Sequence, residues 1–158
     1  MNRLLLFFLL LCTGIVSNGQ AIYPYQDIKL EKPSDYIETE PFALSAANYV
    51  LTTTFDAESI SRQNAVKFLA DWVSGAKKYN FYMQNVAEYI RSDIDLLSLF
   101  IAAMAKYNLE HKQNPADALT VEKNACRMVL DYCNKPANKF NLKKKFRKKL
   151  EENAVPTN

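Results

Sequence analysis

The sequence predicts an all-α protein, a compact bundle of five to six short helices after an extended N-terminal lead, closed by a basic amphipathic C-terminal helix. Two observations carry this expectation. Apolar residues recur every three or four positions through most of the chain, the period of helices buried on one side. Glycine is almost absent: of three in 158 residues, only Gly75 lies beyond the apolar N-terminus. Tight hairpins need glycine at positive φ, and phosphate-cradling loops need it where backbone approaches an anion. An all-β fold and nucleotide-binding fingerprints are therefore not expected.

Met1-Asn2-Arg3 supplies a short positive region, Leu4 to Val16 an apolar one, and Ser17-Asn18-Gly19 the small residues a signal peptidase inspects. The apolar run of about 13 residues is shorter than the roughly 20 a membrane helix needs. Residues 1–19 are thus expected to be a secretory signal, placing the protein in the periplasm or outside the cell; a cut after Ala21 is nearly as good. Cys12 follows Leu9, Leu10 and Leu11 rather than the small residue a lipidation site wants, so acylation is not expected. Cleavage after Gly19 leaves 139 residues, one domain with a real core, with no second apolar stretch able to span a bilayer.

Residues 20–40 carry Pro24 and Pro33 and no lasting periodicity, which predicts an extended lead packed through Ile22, Tyr23 and Tyr25 or left mobile. A first helix is expected from Thr39 or Glu40, with Pro41 in its first turn, until "TTTFD" ends it. A second, about 57–73, places Val66, Leu69, Trp72 and Val73 on one stripe near Ile60 and Ala65, and Ser74-Gly75 stops it. A short helix over about 82–91 turns Val86, Tyr89 and Ile90 inward. Ser92 with Asp95 resembles a capping box for a central helix, whose inner face is read as Leu97, Phe100, Ile101, Met104 and Tyr107. Ala102, Ala103 and Ala105 on that helix admit close neighbours. Asn114-Pro115 reads as the start of a helix to Asn134, with Ala118, Glu122, Ala125, Cys126, Val129, Tyr132 and Cys133 along one side. A last helix is expected over about 142–152, the helical domain covering 41–152 and a disordered tail 153–158.

Cys126 and Cys133, seven residues apart on one helix, lie about 10.5 Å apart along its axis. A disulfide requires Cα atoms within roughly 7 Å, so the two are expected to pack as small apolar groups, with pairing between chains the alternative. A zinc site wants four ligands, and His111 is the only histidine. His111 itself sits at a helix end, where it caps carbonyls. No nucleophile elbow, zinc-protease helix or paired Cys-x-x-Cys occurs. Asp93 with Asp95 and Glu38 with Glu40 are the carboxylate pairs a hydrolase would use, yet acidic residues at a helix start are also simply stabilising. The chain is expected to be no enzyme and to carry no metal or cofactor.

Two segments stand out as contact surface. In "KKYNFYMQN", Tyr79, Phe81 and Tyr82 cluster in a loop beside Lys77 and Lys78, an aromatic and cationic combination common at interfaces if exposed. In "FNLKKKFRKKLEEN", Leu142, Phe146 and Leu150 recur every fourth residue while Lys143, Lys144, Lys145, Arg147, Lys148 and Lys149 cover the rest. Residues 135–152 hold eight Lys or Arg against Glu151 and Glu152, whereas residues 20–134 hold eleven basic and fifteen acidic side chains. Such a helix can dock its stripe and solvate its charges, lie on an anionic membrane surface, or meet an acidic protein, a second copy included. Nucleic acid is not expected as a partner of an exported chain.

A signal ending "SNGQA" on a short, helical, cysteine-poor chain resembles envelope or secreted proteins of Gram-negative bacteria, a likeness of some twenty residues that implies location and no activity. The reading favoured is a non-catalytic protein-binding module of inhibitor, immunity or adaptor type. The alternatives are a carrier holding an apolar ligand between helices at Trp72, Phe100, Met104 and Tyr107, and a carboxylate-dependent hydrolase.

Overall fold

Helical periodicity becomes seven α-helices in the computed structural model, which describes residues 25–154. They are α1 (Pro33–Glu38), α2 (Glu40–Thr52), α3 (Ile60–Gly75), α4 (Ala87–Ile90), α5 (Ile94–Glu110), α6 (Ala118–Asn134) and α7 (Lys144–Asn153), with 3-10 turns at Tyr25–Asp27 and Pro136–Asn138. No strand occurs among the described residues, and none of their helices is long and apolar enough to cross a membrane. The expected signal, Ile22 and Tyr23, and residues 155–158 of the expected tail lie outside the described residues. Asn153 belongs to α7, where its side-chain amide donates to the Lys149 carbonyl at 2.8 Å.

The central helix is α5, which packs against α2, α3, α4 and α6. Close approach is possible because the facing positions are small: Ala43, Ala46 and Ala47 on α2 and Ala102, Ala103 and Ala105 on α5 are all fully buried. The buried face of α5 is broader than the sequence stripe. Leu96, Leu99 and Phe100 are sealed, while Leu97, Ile101 and Tyr107 are half-buried at its margin. A helix covered on several sides has no single apolar stripe to read. On α3 the inner face is Arg62, Ala65, Phe68, Leu69 and Trp72, leaving Ile60 73% exposed. Arg62 causes this rotation: its Nη1 donates to the Val50 carbonyl at 3.0 Å and its guanidinium lies over the rings of Phe55 and Tyr132. Those contacts hold a buried cation that composition alone would place in water, although its Nη2 has no hydrogen-bond partner among the described residues.

Within the expected extended lead, Pro33 opens α1 rather than preventing it. The Asp35 carboxylate accepts the Glu31 and Lys32 amides at 2.9 and 3.0 Å, and proline at a first helical position is preorganised. Gly75 then allows α1 to close on α3, since a Cβ there would fall inside the Tyr36 ring. Trp72 Nε1 donates to the Tyr36 carbonyl at 3.0 Å, completing that junction.

Two caps differ from expectation. Asp93, not Ser92, caps α5 by accepting the Leu96 amide, because the Ser92 hydroxyl donates to the Tyr89 carbonyl at 2.8 Å. Asp117, not Asn114, caps α6 by accepting the Thr120 amide at 2.9 Å. Each carboxylate adds charge to an N-terminus whose dipole favours it.

Cys126 and Cys133 share the buried side of the unbroken α6 and are free thiols. Burial pushes both up to about 12, with Glu122 adding to the effect at Cys126. Since the thiolate is the reactive form, a disulfide-exchange reagent at pH 8 should modify neither in the native chain and both in urea. Fast native labelling would show that α6 opens readily.

Candidate functional site

Of the six cations singled out, Lys143 precedes α7 and the other five lie on it, and this helix docks through Phe146 and Leu150, 2% and 1% exposed, onto α6 and α4. Phe146 meets the Tyr89 ring edge-on at 6.4 Å. Polar contacts fix both flanks: Lys143 Nζ lies 3.4 Å from Asp93, and Arg147 Nη1 donates to the Asn134 side-chain oxygen at 2.5 Å. Lys149 lies over the Tyr89 ring and 3.7 Å from Glu152. Lys144, Lys145 and Lys148 are exposed. Among the described residues only Lys148 of those three has a carboxylate within 4.0 Å, the neighbouring Glu152 at that limit.

This arrangement goes against local helix preference. α7 begins with Lys144 and Lys145 in its first turn, and Lys143 at its N-cap makes no side-chain cap. Cations beside the positive end of a helix dipole each cost roughly 0.3–1 kcal/mol, and a missing cap about 1 kcal/mol. Before it, Lys139 holds φ 47°, a left-handed conformation suited to glycine or asparagine. Positive charge is thus held at several positions where other residues would fold better.

The aromatic loop divides. Tyr82 is 65% exposed, whereas Phe81 is half-buried and Tyr79 is buried. The ring of Trp72 lies 5.7 Å from that of Tyr79 and 5.9 Å from that of Phe81, so both belong to the core margin. Tyr79 is drawn inward by a carboxylate 39 positions away, a pairing that local spacing does not reveal. Its hydroxyl donates to Glu40 Oε1 at 2.5 Å, where Lys78 also reaches at 3.2 Å, and Lys112 reaches Oε2 at 2.9 Å. Glu40 thereby ties the start of α2 to the loops after α3 and α5. Burial pushes its carboxyl up, but the three hydrogen bonds outweigh burial and hold it below the ordinary 4.5. Burial and the adjacent carboxylate together raise the Tyr79 phenol.

A folded-state value below the unfolded one means that Glu40 contributes stability above pH 4.5, and that this is lost as pH falls through the lower folded value. Glu40→Gln should be less stable than wild type at pH 7, and the difference should shrink as urea titrations move toward pH 3. A gap independent of pH would assign the effect to packing.

The other carboxylates singled out in sequence are also engaged or exposed. Asp93 caps α5, Asp95 lies in its first turn, and Glu38 is exposed. Among the described residues no group of three His, Cys, Asp or Glu is placed to hold a metal ion. Trp72, Phe100 and Met104 fill the core, with Tyr107 half-buried and stacked on His111 at 4.1 Å. His111 Nδ1 lies 2.8 Å from the Tyr107 carbonyl. No family model, curated protein or solved structure matches the chain.

Proposed function

We propose that this chain is an exported, non-catalytic interaction module of the bacterial cell envelope, which grips an acidic surface of another protein through α7. The supporting observation is the exposed face of Lys144, Lys145 and Lys148 on the docked α7, with Lys144 and Lys145 kept in the first turn, where they lower local stability. Stability is commonly given up where a residue serves binding. Docking also favours protein over lipid as the partner. Phe146 and Leu150, which would insert into a membrane interface, are already buried in the bundle. A preordered cationic face loses little conformational entropy on contact and speeds encounter with an acidic surface.

The experiment is affinity purification of the native protein from its own cell envelope at low and raised salt, followed by mass spectrometry. A stoichiometric acidic protein that leaves at raised salt is the expected result. Recovery with anionic lipid alone would replace the protein partner by a membrane surface.

A further inference from the structure

A second surface lies away from α7, between α1 and the end of α3. An open groove of about 360 Å³ is walled by Pro33, Tyr36 and Ile37 on one side and by Gly75, Ala76 and Tyr79 on the other. Its lining is mostly apolar, and its size falls within the range of small-molecule sites. Ile37 is 58% exposed in a six-residue helix that buries none of its side chains fully. Burial within the bundle therefore does not account for that isoleucine.

The walls are fixed. α1 is anchored by the Asp35 bonds, the Tyr36 ring against Gly75 and the bond from Trp72 to the Tyr36 carbonyl. Opposite, Lys77 donates its amide to the Gly75 carbonyl at 2.9 Å in a tight turn.

Charge decides the occupant. Lys32, Lys77 and Lys78 line the groove with Glu31 and Glu40. Glu40 is already answered by Lys78 and Lys112, and Glu31 lies 3.9 Å from Lys29. Lys32 and Lys77 have no carboxylate partner in an ion pair among the described residues, so the rim presents positive charge beside an apolar floor. An amine would be repelled, and a sugar would find few directed polar groups. The geometry points to this groove as a binding site for a single-chain amphipathic carboxylate of the fatty-acid class. The head group sits at Lys77 with Lys32 and Lys78 nearby, and the chain lies against Ile37, Tyr36, Pro33 and Ala76. Lysine stems extend the apolar wall while their amines stay in water.

Decanoate and its uncharged counterpart decanol, titrated into the chain lacking residues 1–19 and followed by calorimetry and amide NMR, provide the test. Saturable one-site binding of decanoate is expected, with shifts concentrated at residues 33–37 and 75–79 and decanol weaker by about fivefold or more. Lys77→Glu and Ile37→Asp, both at exposed positions, should each weaken decanoate by about fivefold or more while melting like the parent. Charge reversal on α7 should leave decanoate binding unchanged, which separates this site from the partner surface. No saturable binding, shifts confined to other residues, equal affinity for decanol, or undiminished binding by both folded variants would each overturn the assignment.

Discussion

Glu122→Ala should lower the free energy of unfolding by about 3 kcal/mol, although Glu122 touches no proposed partner or ligand. Its carboxylate is 1% exposed and organises the loop before α4. Oε1 accepts the amides of Gln84, Asn85 and Val86 at 3.0, 2.8 and 3.1 Å, and Oε2 accepts the Asn85 side-chain amide at 3.0 Å. Removing the acceptor leaves the buried Val86 amide without a partner and frees the other donors only partly to water. Glu122→Gln retains one carbonyl for the three amides and should fall between the two. Urea unfolding at pH 7 measures both, and a loss under about 1 kcal/mol for alanine would mean that the loop finds other acceptors. Losing about 3 kcal/mol matters in a domain whose total stability is of order 5–15 kcal/mol.

The second large effect concerns binding. Lys144→Glu, Lys145→Glu and Lys148→Glu together should abolish capture of the acidic partner while leaving unfolding within about 1 kcal/mol of wild type. Lys144 and Lys145 then become carboxylates beside the positive end of the α7 dipole, a gain of roughly 0.3–1 kcal/mol each. Against that stand the contact of Lys145 with the Phe146 ring and the approach of Lys148 to Glu152, both exposed and individually weak. Phe146 and Leu150 are untouched, so α7 stays docked. Partner capture and circular dichroism on the same preparation read the two properties separately. Full binding by the folded triple variant would remove α7 as the gripping surface.

Most helices were legible in this sequence, whereas helix rotation was less so. The exceptions are α1, which lies within the expected extended lead, and α4, which spans only Ala87–Ile90 of the expected 82–91. The end of α6 at Lys135-Pro136 and the α7 stripe follow from punctuation and period, as does the placing of Glu122 on the inner side of α6, whereas α3 runs through the expected stop at Ser74-Gly75 and is capped at Ala76. Rotation failed at α3 because an arginine took an interior place, and at α5 because its burial is too wide for a stripe. The basic face of α7 was readable because charge density is a local property. The Glu40 cluster was not, since Glu40, Tyr79 and Lys112 are brought together only by the packing of three segments. The groove beside it was hidden for the same reason, with Ile37 in a stretch whose proline looked like a breaker.

The alanine-lined contact between α2 and α5 has a consequence for motion. Because α5 is covered by α2, α3, α4 and α6 together, its middle amides reach solvent only when several helices separate at once. α7 and the six-residue α1 each rest on fewer neighbours, so smaller openings should suffice to expose their amides. Hydrogen exchange should thus be graded from a slow centre to faster flanks, and both proposed contact surfaces lie on the flanks. A molecule bound at either surface should therefore slow exchange on its own flank and leave the middle of the bundle unchanged.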